Sequence, residues 1–143
     1  IMSNDDKFKA FKEKLVKENQ DKYGDEVTEK YGKDIVEKSN KKFLNMSEKD
    51  YNDMNETNQK LMECLKSILN GNGNVEEKRK EAVILHKKWL SYSWDTYTAE
   101  SHIGLAYMYS TDERFKKYYD GAAGEGAADA LRSAVEDYAS ELE

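Results

Sequence analysis

The chain has 143 residues, 38% of them hydrophobic and 36% charged, with a net charge of −6 and a strongly negative mean hydropathy. That length fits one domain with a single core, and so high a charged share calls for a heavily charged helical surface. Several classes are excluded at once. No apolar run is long enough to span a bilayer, and the single cysteine, Cys64, forms no internal disulfide. The first residues lack the apolar stretch and cleavage site of a secretion signal. A cytoplasmic protein is expected. The charge is uneven: residues 1–50 hold 12 Lys/Arg against 12 Asp/Glu, but residues 112–143 hold 4 against 9. An acidic C-terminal third argues against nucleic-acid binding by this chain itself.

Taken in order, the elements all read as helix. There is no proline, and the glycines cluster at joints: Gly24, Gly32, "NGNGN" at 70–74 and "GAAGEG" at 121–126. Residues 5–19 carry an apolar stripe of Phe8, Phe11, Leu15 and Val16. Residues 25–44 are mostly charged, with a thin stripe of Val27, Tyr31, Ile35 and Phe43, so order there is expected to be weak. Ser47 reads as an N-cap with Asp50 as the capping-box acid, opening a helix to about Asn70. Further helices are expected over 75–94, 98–109, 112–119 and 127–142. Strand alternation is absent. The reading is an all-α single domain over 1–143, with residues 5–44 as mobile lid helices and 47–143 as the helical core.

Candidate chemistry is sparse. His86 and His102 have neither the companions of a metal site nor other support for haem, so both are expected to hydrogen-bond within the helical core. Cys64 sits mid-helix in an apolar stripe and reads as a packed thiol. Asp112-Glu113-Arg114 fits helix initiation better than acid–base catalysis, with Arg114 free to pair with an acid on a neighbouring helix. "NGNGN" lacks the lysine of a phosphate loop. No catalytic residue, cofactor or metal is expected. A hydrolase using Asp112 or Glu100 has no nucleophile–base pair behind it. The strongest signal is aromatic. Nine of the 16 aromatics lie between Trp89 and Tyr119. Tyrosine joins a flat apolar face to a hydroxyl, which suits a ligand cleft as well as a core rim.

The run "HKKWLSYSWDTYTAESHIGLAYMYSTDERFKKYYD" (86–120), followed by "GAADALRSAV" (126–135), resembles the TipAS-type antibiotic-recognition domain of MerR-family transcriptional activators. The shared pattern is Glu100 with His102, Leu105 with Met108 and Tyr109, Asp112 with Arg114 and Phe115, Tyr119 with Asp120, and Gly126 with Ala128. The likeness is specific in the second half of the chain and loose in the first. It implies a globin-like helical fold without haem. It also implies recognition of hydrophobic, often cyclic peptide antibiotics such as thiopeptides, with N-terminal helices that order on binding. Aromatic walls are expected from Trp89, Trp94, Tyr97, Tyr109 and Phe115, and polar contacts from Asp95, Glu100 and His102. The family's drug-trapping cysteine falls at Gly104 and a second family cysteine at Tyr97, which points to noncovalent binding. The resemblance places a DNA-binding region and a dimerising coiled coil outside this chain. The alternative is a stand-alone sequestering protein that lowers free drug.

Overall fold

The computed structural model describes residues 2–143. It is all-α, as the sequence leads one to expect. The helices are α1 (Asn4–Tyr31), α2 (Lys33–Leu44), α3 (Glu48–Asn70), α4 (Val75–Ser91), α5 (Ala99–Thr111), α6 (Glu113–Ala123) and α7 (Ala127–Tyr138), closed by a 3₁₀ turn over Ala139–Leu142. Among the described residues there is no strand. The packing resolves into two compact units, one of residues up to Asn52 together with Tyr92–Asp95, the other of Asp53–Ser91 and Thr96–Glu143.

In the first unit α1 packs along α2. The sequence suggests a break at Gly24, yet α1 runs through it for 28 residues. One interior glycine costs a helix only about 1 kcal/mol, which the flanking turns outweigh. The chain turns instead at Gly32, whose φ of 88° few side chains tolerate. Among the described residues, only Lys12 and Met46 are buried in this unit. The Lys12 ammonium donates to the backbone carbonyls of Leu44, at 2.6 Å, and Met46, at 2.7 Å. It therefore closes the exposed carbonyl end of α2, where a cation is favoured. A ring cluster of Phe8, Phe11, Phe43 and Tyr51 lies alongside, with centroids 5.6–6.4 Å apart.

The second unit holds the apolar core. Leu61 and Leu65 of α3, Val83 and Leu90 of α4, Ala106 of α5, and Leu131, Ala134 and Val135 of α7 are all essentially solvent-free. α7 packs against α4, α5 and α6, and its alanines let the neighbouring backbones come close. Truncating one such leucine costs about 2–5 kcal/mol through lost burial and the cavity left behind.

Side-chain caps set the helix starts. Ser47 Oγ accepts from Asp50 N–H, Thr98 Oγ1 from Ser101 N–H, and Asp112 Oδ1 from Arg114 N–H. Asp120 reaches out of α6 to accept from Ala128 N–H in the first turn of α7. The Arg114 guanidinium folds back onto the Asp112 carboxylate at 2.7 Å. Two ends differ from the sequence reading. α4 stops at Ser91 rather than Trp94, and α6 continues to Ala123, where Gly124, with φ 121°, ends it.

Candidate functional site

The site is best built outward from the two histidines. On α4, Ala82, Val83, His86 and Leu90 share the inward face, and His86 is solvent-free. On α5 the inward face holds His102, Ala106 and Tyr109. His86 Nδ1 lies 2.7 Å from His102 Nε2, so the two imidazoles join α4 to α5. The other nitrogen of His102, Nδ1, lies 2.6 Å from the hydroxyl of Tyr97, just before the α5 N-cap. His102 thus has both nitrogens engaged within the fold. His86 Nε2 has no hydrogen-bond partner.

The rings form a continuous chain around this pair. Trp89 stacks on His86 with 5.7 Å between centroids and 13° between planes. Tyr109 meets His86 edge-on at 5.4 Å, then packs on Phe115 at 5.8 Å and Tyr119 at 4.7 Å. Tyr118, about half exposed, stands edge-on to Tyr119 and receives the Asn58 amide on its hydroxyl. Edge-to-face pairs of this kind add about 0.5–1.5 kcal/mol beyond area burial. Tyr97 is flanked by the Lys87 ammonium, 4.5 Å above its ring, and Lys87 Nζ donates to the Leu142 carbonyl. Glu143 accepts from Ala99 N–H, which ties the chain end to the start of α5.

The electrostatics follow from burial. Desolvation, reinforced by His102, holds His86 well below the usual imidazole range. Desolvation, reinforced by the Lys87 cation, lowers His102 to about 4. Both are therefore neutral at pH 7. Burial, with Tyr109 as neighbour, pushes the Tyr119 phenol well up. Burial and the Glu143 carboxylate raise Tyr97. The arrangement is a neutral, aromatic, hydrogen-bonded cluster whose histidines, Tyr109 and Tyr119 are buried. Among the described residues no group of three or more His, Cys, Asp or Glu is placed to hold a metal ion, and no helix is long and apolar enough to cross a membrane.

The residues expected at the site divide. Trp89, Tyr97, His102, Tyr109 and Phe115 belong to this connected cluster. Glu100 is exposed on the outer face of α5. Trp94 and Asp95 belong to the first unit, where Lys42 donates to the Trp94 carbonyl at 2.9 Å and pairs with Asp95 at 3.9 Å. His86 and Tyr119 join the cluster without having been singled out. The signal for His86 was available in the i, i+4, i+8 register of Ala82, His86 and Leu90. The first unit has an open groove of about 480 Å³ lined by Asn4, Lys7, Phe8, Phe11, Glu48 and Tyr51.

Two positions bear on covalent chemistry. Cys64 is buried, its thiol bonded to the Lys78 carbonyl at 3.1 Å, and desolvation pushes it up to about 11, far from thiolate. Gly104 is exposed on α5 with open space where a side chain would project.

No curated protein and no solved structure matches the chain. The family profile described as the TipAS antibiotic-recognition domain does match, over residues 23–138, which takes in the ring cluster, both histidines and every helix from α2 to α7. The chain belongs to the TipAS antibiotic-recognition domain family.

Proposed function

We propose that this chain is the drug-sensing domain of a MerR-like transcriptional activator, that it binds a hydrophobic multi-ring or thiopeptide-like compound without a covalent bond, and that it catalyses nothing. One observation carries the reading. The buried, neutral His86–His102 pair is flanked by Trp89, Tyr97 and Tyr109, with Phe115 and Tyr119 packed on Tyr109, a density of aromatic rings beyond what a small helical core needs. Noncovalent binding is supported by the glycine at 104 and by the protonated, buried thiol of Cys64. Trp94, Asp95 and Glu100 remain ligand contacts in this proposal. So does the globin-like arrangement of the helices.

Folding on binding is part of the same reading. The first unit buries only Lys12 and Met46, while Phe11, Val27 and Ile35 stay exposed at 36–59%. So little buried apolar surface offsets only part of the ordering entropy, and ligand contacts would supply the rest. A thermal-shift screen against thiopeptides and other hydrophobic antibiotics, with intact-mass analysis of each hit, tests the proposal. A shift without added mass is the expected outcome. No shift with any compound, or turnover of a bound one, counts against it.

A further inference from the structure

The Tyr97–His102–His86 chain has a direction. Tyr97 keeps its proton at neutral pH, and a phenol donates readily to an imidazole lone pair. Its hydroxyl lies 2.6 Å from His102 Nδ1, and with the phenol as donor to that nitrogen the remaining proton positions are fixed. His102 then carries its proton on Nε2 and donates across 2.7 Å to His86 Nδ1. One proton position is left on His86, and it is Nε2, the atom without a partner. A solvent-free N–H with nothing to receive it costs about 1–3 kcal/mol. Such a cost is commonly kept at functional positions.

We propose that His86 Nε2–H is a recognition donor for the bound compound, answering a hydrogen-bond acceptor such as an amide carbonyl or an azole nitrogen. The inference rests on the reading that the ligand meets the Trp89–His86–Tyr109 rings. Trp89 stacks on the face of His86 and is only partly buried, so a compound that meets Trp89 lies within one ring of the imidazole. Tyr97 and His102 are positioning residues: they fix the tautomer that leaves the proton on His86 Nε2. Thiopeptides are rich in thiazole nitrogens and amide carbonyls, while a purely hydrocarbon ring system offers neither.

The test uses the ¹⁵N-labelled chain at pH 7, with thiostrepton as the probe. Imidazole correlation spectra should place the proton on Nε2 in both histidines. Thiostrepton should shift the His86 Nε2–H resonance together with the Trp89 indole. A His86 protonated on Nδ1 overturns the inference. So does a Trp89 indole that responds while His86 Nε2–H stays still, an outcome that leaves the proposed function standing. Silence at both positions overturns the inference and the thiopeptide reading together. Two variants add an independent check. His86→Asn keeps the acceptor facing His102 but deletes the Nε2 donor, and should weaken binding about tenfold. His86→Gln keeps a donor near Nε2 and should bind within about threefold of the parent chain. Equal affinity for His86→Asn and the parent chain overturns the proposal.

Discussion

Lowering the pH from 7 to 5 should remove a large part of this protein's stability, and the two histidines set the amount. Both are solvent-free, and both are held below the ordinary imidazole value of 6.5 by burial, with His102 acting on His86 and Lys87 on His102. A group whose folded value is depressed contributes stability that is fully present above its unfolded value. That stability fades as pH falls through the window down to the folded value. Here the window runs from about 6.5 down to about 4 for His102. At pH 5 the unfolded chain has protonated both imidazoles while burial keeps the folded ones largely neutral; for His102 the difference amounts to about 2 kcal/mol, and His86 acts in the same direction. Typical domains have only about 5–15 kcal/mol in total. Carboxylates do not confuse this window. Glu76, held low by the Tyr138 hydroxyl and Arg79, loses its contribution only below the unfolded carboxylate range. Urea unfolding followed by far-UV circular dichroism reads the effect as a midpoint lower by about 1 M or more at pH 5. His86→Leu should halve the pH dependence, even though it lowers stability at pH 7. A loss under about 1 kcal/mol, or an undiminished pH dependence in His86→Leu, would refute the buried-neutral-pair argument.

Three further outcomes are expected. Lys12→Met keeps the apolar stem but removes both bonds to the Leu44 and Met46 carbonyls. It should speed amide exchange in α1 and α2 about thirtyfold, for about 2 kcal/mol lost, and leave α5 and α7 unchanged. Gly104→Ala should raise stability by about 0.5–1 kcal/mol by thermal melt, because the position is helical and open. Gly104→Cys places an exposed thiol where the drug-trapping cysteine is expected, so intact-mass analysis should find a thiostrepton adduct on the variant and none on the parent chain. Tyr97→Phe removes the donor to His102 Nδ1 and should loosen the tautomer preference of both imidazoles, read from their ¹⁵N shifts.

The sequence made some of this architecture easy to read. Ser47, Thr98 and Asp112 are caps by residue type, and their local hydrogen bonds need nothing beyond three or four residues of chain. Glycines were harder. Gly24 and Gly32 look alike in sequence, but only one has a positive φ, and that choice depends on how α2 packs back along α1. Lys12 is one of many lysines in the first 50 residues, with no local signal of burial. It is buried because two carbonyls at the end of α2, 32 and 34 residues away, receive its protons. The histidines were expected to hydrogen-bond inside the helical core, and they do. That they bond to one another, with Tyr97 against His102, depends on α4 and α5 both packing on α7. Arg114 pairs with its own cap Asp112, a two-residue span that costs little side-chain entropy. The aromatic bias between Trp89 and Tyr119 was plain from composition, yet Trp94 fell into the other unit once α4 ended at Ser91.

The most direct measurement is hydrogen exchange, mapped by mass spectrometry on the full chain with and without thiostrepton. Binding at the ring cluster should slow exchange in peptides covering 86–119. Ordering of the first unit should slow exchange across 5–44, where free-state protection is expected to be low. Residues 5–44 already fully protected in the free chain would contradict folding on binding. Unchanged exchange in 86–119, under conditions where the compound is bound, would contradict the placement of the drug site itself.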